Sequence, residues 1–287
     1  MPDRLPRRPL GPFSVRPIGF GAMRLTGPNV FGPPLDRHNA IAVLREAVDL
    51  GVDHIDTAQY YGPDVVNGLI REALDPYPQK LVIVTKVGAS RDSRGGILAA
   101  DEPKQLRRGI EDNLRSLSLD QLAAVNLRLM RPGGPDSFFD DQLAAMIAAR
   151  DDGLIASIGL SNVSLEHLLH ALQVTDIACV QNAFHPTNRD SQPVLEECTR
   201  RGIAFVPFSP LGSGGTGAGS VLHAPAVAAV AARLGRTTAQ VALAWGLRVS
   251  PNVLLIPGTS SLGHLRENLA VANVELDGEA VRQLSTL

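Results

Sequence analysis

Cysteine is almost missing: Cys179 and Cys198 are the two in 287 residues. They sit in apolar and helical contexts without a C-x-x-C spacing, which suggests neither a disulfide framework nor a thiol redox motif. Aromatics are scarce, with one Trp, three Tyr and eight Phe. No run of about 18 apolar residues occurs, so no membrane span is expected. The net charge is −2, far from the basic balance that suits nucleic acid or an anionic membrane surface. The first nine residues carry Arg4, Arg7 and Arg8 but are broken by prolines and have no apolar core. They do not read as a signal peptide. With 44% hydrophobic and 20% charged residues, the expectation is a globular, cytoplasmic chain forming one domain over residues 1–287.

What is present is alternation. Short apolar strands end near Phe20, Asp56, Lys86, Leu129, Ser161, Asn182, Pro207 and Ile256. Helical patterns separate them over 37–50, 65–74, 103–117, 138–150, 164–174, 191–201 and a longer stretch, 224–249. Two more cover 262–272 and 277–287. Ser164 reads as an N-cap, and Gly51 and Gly202 as helix stops. Eight strand–helix units at this length predict an α/β fold of the (β/α)8 barrel type. Gly11-Pro12, between two short extended runs, predicts a small hairpin before the first barrel strand. The alternative is an open dinucleotide-binding sheet. Its G-x-G-x-x-G fingerprint would follow the first strand, where Gly19-Phe-Gly21-Ala-Met-Arg24 lacks the third glycine. A second glycine-rich run, 212–219, has no lysine.

The richest stretch is His54-Ile-Asp-Thr-Ala-Gln-Tyr-Tyr-Gly62. A short apolar strand ends in Asp56, and Tyr61 follows five residues later. A second apolar strand, Leu81-Val-Ile-Val-Thr85, ends in Lys86. In a barrel, chemistry gathers at the C-terminal ends of the strands. An ammonium beside a phenol favours phenolate, so Lys86 is expected to lower the Tyr61 pKa and make it a usable proton donor. Other polar residues also stand at strand ends: Ser161, Asn162, Gln181, Asn182, Ser209, Thr259 and Ser260. Singly, each reads equally well as a cap, a loop tie or a surface charge. Their shared placement at one barrel face favours a site. No His-x-His constellation stands at these ends, and no metal is expected.

These residues carry a resemblance to the aldo-keto reductases over nearly the whole chain. Asp56-Thr-Ala-x-x-Tyr61-Gly62 and Val84-Thr-Lys86 resemble the family's catalytic segments. The resemblance implies that a nicotinamide cofactor gives hydride to an aldehyde or ketone, that Tyr61 protonates the oxygen, and that Asp56 fixes Lys86. Gly159-Leu-Ser161-Asn162 and Gln181-Asn182 resemble the residues that hold the nicotinamide carboxamide. Phe208-Ser209-Pro210-Leu211-Gly212 and Ser213 resemble the segment that stacks on the ring and wraps the pyrophosphate. Gly258, Thr259, Ser260, His264, Arg266, Glu267 and Asn268 resemble the loop and helix start that hold the adenosine end. Gly21, Ala22 and Met23, after the first strand, are also expected on the cofactor, as is Asp56. NADPH is the implied cofactor and NADH the weaker one. Arg266 or His264 would meet the 2′-phosphate, since Gly258 stands where the family often has lysine. The partner is a small carbonyl compound, and nothing indicates an oligomeric state.

One position departs from the pattern. The family usually polarises the carbonyl with a His after the fourth strand, in a pattern like Leu-x-x-His-x-Pro. Here the strand reads Val125-Asn-Leu-Arg-Leu-Met130-Arg-Pro132, and Met130 takes that place with a thioether that cannot donate. Arg128, two residues back, faces the same side. It reads either as an inward cation near the site or, more simply, as half of a barrel-core ion pair. The segments 27–38, 125–130 and 254–261 resemble the bacterial pyridoxal reductases, which share the missing His. Such a substrate carries a hydroxyl ortho to its aldehyde, an internal donor that could stand in for the imidazole. Two further readings remain: a general aldehyde or ketone reductase, and a slow-turnover NADPH-binding regulatory subunit.

Overall fold

The computed structural model describes residues 5–212 and 221–287. The strands are β1 (Arg8–Leu10), β2 (Phe13–Val15), β3 (Phe20–Gly21), β4 (His54–Asp56), β5 (Val82–Arg91), β6 (Ile97–Ala100), β7 (Ala124–Arg128), β8 (Ile158–Ser161), β9 (Cys179–Gln181) and β10 (Ala204–Phe205). The helices are α1 (Arg37–Asp49), α2 (Val65–Leu74), α3 (Pro103–Leu117), α4 (Ser137–Asp151), α5 (Leu165–Ala171), α6 (Gln192–Arg201), α7 (Pro225–Leu234), α8 (Thr238–Val249), α9 (Leu262–Leu269) and α10 (Gly278–Leu284).

Seven strands pair in parallel in the order β3-β4-β5-β7-β8-β9-β10. Residues 253–255 take the eighth place. They bridge Phe205 on one side and Ile18 on the other. Leu254 N donates to Phe205 O at 2.9 Å and Gly19 N donates to Leu255 O at 2.8 Å. The sheet therefore closes, which settles the barrel against the open sheet. The expected hairpin is β1–β2, antiparallel and turned at Gly11 with φ +56°, a conformation that glycine adopts freely.

Two parts of the chain differ from expectation. The stretch 224–249 is two helices. Gly235, at φ +60°, ends α7, and Thr237 opens α8 in a reciprocal capping box with Gln240. Here the cap chemistry overrides a continuous apolar pattern. The strand expected to end at Lys86 continues to Arg91 and folds back through β6. Asp92 Oδ1 accepts from Arg94 N at 2.8 Å and from Gly96 N at 2.7 Å, fixing the turn. At the bend Gly88 has φ +105°, and a Cβ there would meet Arg128 O at 2.3 Å. The last two helical stretches shorten to α9, followed by a tight turn over 270–273, and to α10.

Strand parity divides the barrel into faces. Ile55, Ile83, Val125, Leu127, Leu160 and Val180 pack against the surrounding helices. Inward residues at the N-terminal end are mostly apolar, Val82, Val84, Ala124, Ala204 and Leu254, with the buried His54 level with Val82. The hairpin residues Leu10 and Val15 close this end. Cys179 and Cys198 are both buried free thiols. Burial pushes each up to about 12, which suits packing rather than reactivity.

Beside the site, residues next to the inward Asp56 and Lys86 point outward into a buried polar network. Thr57 Oγ1 donates to Asn67 Oδ1 at 2.8 Å, and Thr85 Oγ1 donates to Asn113 Oδ1 at 2.6 Å. Asn67 Nδ2 also donates to Asn113 Oδ1, at 3.0 Å. The network ties β4 and β5 to α2 and α3. Asn113→Leu strands the Thr85 hydroxyl in the core and leaves Asn67 Nδ2 with Ser116 Oγ alone, at 2.9 Å, and is expected to cost about 2–4 kcal/mol. Urea unfolding measures this, and a loss below about 1 kcal/mol would show that the network contributes little.

Candidate active site

At the C-terminal mouth the inward residues turn polar. Lys86 Nζ donates to Asp56 Oδ1 at 2.5 Å and to Thr57 O at 3.1 Å. Gln181 Nε2 donates to Asp56 Oδ2 at 2.8 Å. All three side chains are buried. An ion pair this deep persists only when its remaining lone pairs and protons are satisfied, and Gln181 and the Thr57 carbonyl do that. Tyr61, 6% exposed, lies in the turn after β4. Its ring centroid is 5.1 Å from Lys86 Nζ and 5.3 Å from the ring of Tyr60, which meets it edge-on.

The expected electrostatics need correction. The Tyr61 phenol is held well above its ordinary range, first by burial and then by Asp56. The cations that pull it down are Arg128 and Arg91. Lys86 gives its charge to Asp56, so the phenol feels the carboxylate more than the ammonium. Burial also pushes Tyr60 up to about 12. Both phenols stay protonated at neutral pH.

Arg128 and Met130 part company. Arg128 ends β7 in register with Ser161 and shares the inward face of Ala124 and Asn126. The expected ion pair is absent: among the described residues Arg128 makes no salt bridge, and its buried Nε has no partner. Met130 instead lines a small cavity with Asp101, Arg131, Phe138, Phe139 and His167, beside α4 and α5. Arg131 in turn is held by Asp101 at 3.2 Å. The thioether is thus no substitute donor, and the inward cation on this strand is Arg128.

The residues expected on the cofactor are gathered around this mouth. Ser161 is fully buried and its Oγ has no partner. Asn162 follows in a left-handed conformation, φ 62°, and its Nδ2 donates to Leu129 O at 3.0 Å. Gln181 commits Nε2 to Asp56, a use that the resemblance did not include. Phe208 is half-buried, held where its N donates to Asn182 O at 3.0 Å. Ser209, Pro210, Leu211 and Gly212 form the next turn, with Gly212 N donating to Ser209 O at 2.8 Å. Ser213 lies outside the described residues, as does most of the run 212–219. Gly21 and Gly258 face each other where the barrel closes. A Cβ on Gly258 would meet Gly21 O at 2.3 Å, and one on Gly21 would meet Ile256 O at 2.4 Å. This explains why no lysine stands at 258. Ala22 is buried and Met23 half-buried. Met23 and Ser260 line a cavity of about 460 Å³.

The helix expected at Leu262 is present as α9, capped by Ser261, whose side chain accepts from His264 N. Thr259 Oγ1 accepts from Ser261 N at 3.0 Å, and Ser260 O accepts from Asn39 Nδ2 at 2.6 Å. His264 and Arg266 are exposed, Asn268 is buried, and Glu267 accepts from Thr237 Oγ1. Arg266 holds Glu46 through two hydrogen bonds of 2.5 and 3.1 Å. Glu46 belongs to α1, 220 positions away, and no local pattern points to it. Arg91 was missed for a similar reason. It donates to Gly95 O at 2.5 Å, Asn29 O at 3.3 Å and Tyr60 O at 3.4 Å, and the hairpin that carries it was not expected. Phe184 packs in the core, stacked on Trp245.

Fold and site together define a (β/α)8-barrel oxidoreductase, with an acid, an amine and a phenol at its C-terminal mouth. Residues 17–287 match the Aldo/keto reductase family, and the chain belongs to that family. It is 47% identical to pyridoxine 4-dehydrogenase of Escherichia coli, over 97% of this chain and 96% of that one. It is 38% identical to an uncharacterized oxidoreductase of Schizosaccharomyces pombe, over 96% and 87%. A thermostable aldo-keto reductase crystallised with the inhibitor epalrestat superposes with TM-score 0.82 at 28% identity, covering 98% of each chain. An aldo-keto reductase from Klebsiella pneumoniae, crystallised with NADPH, superposes with TM-score 0.79 at 26% identity, over 98% and 94%. The chain is an oxidoreductase acting on carbonyl or CH–OH groups with a nicotinamide cofactor.

Removing one member of the buried pair leaves the other uncompensated. Lys86→Met is expected to destabilise the fold by about 3–5 kcal/mol, and adding Asp56→Leu to recover much of that loss. Chemical unfolding of the wild type, both single variants and the double variant decides it. A double variant as unstable as the sum of its single changes would show that the pair is not coupled.

Proposed function

We propose that this enzyme reduces an aromatic aldehyde with NADPH, and that pyridoxal, giving pyridoxine, is its substrate. The observation that carries the substrate is the 47% identity to pyridoxine 4-dehydrogenase over nearly the full chain. The buried Ser161 hydroxyl without a partner fits a ligand amide arriving at this layer, since such a group is costly to leave unpaired. Ser161, Asn162 and Gln181 would hold the nicotinamide carboxamide, and Phe208 its ring. Gly21, Ala22, Met23 and residues 209–212 would border the pyrophosphate. Residues 258–260 and the start of α9 would take the adenosine phosphate, with Glu267 and Asn268 at the adenine. The bound cofactor supplies the hydride. Tyr61 Oη gives its proton to the carbonyl oxygen as the double bond breaks. Burial and Asp56 keep that proton on the phenol until it is needed, while Arg128 and Arg91 ease its loss. Lys86 holds Asp56, and Gln181 holds the pair in register.

NADPH oxidation followed with a panel of aldehydes, pyridoxal included, tests the substrate. Turnover of other aldehydes but not pyridoxal would overturn it. Tyr61→Phe is expected to lower turnover about 10²–10⁴-fold, the usual worth of a positioned acid, while NADPH still binds. Wild-type turnover under conditions where hydride transfer limits the rate would remove Tyr61 from the role.

Arg266 is offered as the 2′-phosphate cation, held in advance by Glu46. Arg266→Ala is expected to weaken NADPH about tenfold more than NADH, through loss of a charge-assisted contact. Binding titrations with both cofactors measure the ratio. Equal losses would move the assignment to His264.

A further inference from the structure

Arg128 is unlike the other arginines around the mouth. Arg91 spends its donors on three backbone carbonyls. Arg131 is held by Asp101. Arg128 makes no salt bridge among the described residues, and its Nε is buried without a partner. Its strand position aims it inward, one layer above Asn126 and level with Ser161. Three further buried polar atoms of this region are also unpartnered, Tyr60 Oη, Ser161 Oγ and Asn126 Nδ2. A guanidinium cannot shed its charge and offers five donors in a planar fork. Held in a half-buried mouth without a carboxylate, it is a prepared receptor for an anionic oxygen. It stands one layer above the Lys86–Asn126 pairing and level with Ser161, at the mouth where Tyr61 follows β4, so an anionic oxygen bound there lies on the side of the site where the carbonyl is protonated.

We propose that Arg128 binds an ionised oxygen ortho to the reacting carbonyl, so that the enzyme selects ortho-hydroxyaryl aldehydes as their phenolates. This reading rests on Tyr61-dependent carbonyl reduction. It replaces the internal donor expected from the sequence: the ortho oxygen acts as an anion toward Arg128 rather than as a proton donor toward the aldehyde. It also gives the position a purpose without Met130. Arg128 is a specificity residue that touches the substrate; the proton still comes from Tyr61.

The test compares nitrosalicylaldehyde, whose phenol the nitro group acidifies, with its methyl ether, which has no ionisable oxygen. The readout is kcat/KM for both aldehydes in the wild type, Arg128→Leu and Arg128→Lys. Wild type is expected to prefer the phenolate. Arg128→Leu is expected to lose at least about tenfold more on the phenolate than on the ether, and Arg128→Lys to recover part of the difference. Loss of the same factor on both substrates would overturn the proposal and leave Arg128 acting only through Tyr61. A second readout separates the proposal from the reduction on which it rests. Binding of the corresponding nitrophenolate alcohol to the NADP⁺ complex is followed by the change in nitrophenolate absorbance. If no aldehyde turns over but this alcohol binds the wild type at least about tenfold more tightly than Arg128→Leu, reduction fails and the Arg128 site stands. If the two bind alike, the site itself is refuted.

Discussion

The buried contact between Lys86 and Asp56 is the constraint around which the mouth of this barrel is arranged. Two charges removed from water lose solvation that their mutual attraction alone does not restore. The structure supplies the rest with neutral groups, the Gln181 amide on the carboxylate and the Thr57 carbonyl on the ammonium. Each partner comes from a strand whose register is fixed. Asp56 is in register with Val84 on β5, and Ser161 with Gln181 on β9. A shift of one residue would turn all these side chains to the opposite face. The outward neighbours Thr57 and Thr85 prevent that shift, because each is tied into the Asn67–Asn113 network. The geometry of the pair is therefore held from behind, by groups that touch no ligand.

The same parity explains why the Lys86–Asp56–Gln181 cluster stands at one end. The N-terminal end is filled by Val82, Ala124, Ala204 and Leu254 and closed by Leu10 and Val15. Arg8, buried there, donates to Leu247 O at 3.1 Å and Ser250 O at 3.4 Å, tying the hairpin to the end of α8 and the loop after it. With that end closed by the hairpin, the functional groups open at the other. The β5–β6 hairpin rises beside it, and the Arg91 bonds to Asn29 and Tyr60 join this hairpin to the loops after β3 and β4.

Much of this was legible in the sequence because its signals are local. Strand ends at Asp56 and Ser161 follow from short apolar runs that stop at a polar residue, the strand expected to end near Asn182 stops one residue earlier at Gln181, and Ser164 and Gly202 mark helix ends by cap chemistry. What failed was non-local. The continuation of β5 past Lys86 depends on pairing with β6 across a turn made by Asp92 and Gly95, and an apolar count stops too early there. The influence of Lys86 on Tyr61 was overstated because residue types do not reveal how much of an ammonium's charge a carboxylate will absorb. Glu46 could not be assigned to Arg266, since nothing in α1 refers to α9. The core ion pair expected for Arg128 followed the general habit of buried charge, and that habit fails where the partner arrives from outside.

That last failure separates two kinds of cation. Arg266 is exposed and already held by a carboxylate, so a phosphate there must share or displace Glu46 and gains only the difference. Arg128 is inward and unmatched, so the protein carries its desolvation before any ligand arrives. An unmatched buried donor is costly, and folded chains satisfy nearly all of theirs. The Arg128 Nε, Tyr60 Oη and Ser161 Oγ all lie on strand ends or turns at the C-terminal mouth, whereas the hydroxyls and amides of the Asn67–Asn113 network are bonded to one another. The ring nitrogens of His54, Asn126 Nδ2, Asp101 Oδ2 and Arg189 Nε are also buried without a hydrogen-bond partner, so the placement of these three groups at the mouth, and not their being unpaired alone, marks them as polar surface for a ligand. On that argument the parts of the mouth that look least stable are those that face the ligand, and Lys86, Asp56 and Gln181, bonded to one another, are the frame that keeps them in place.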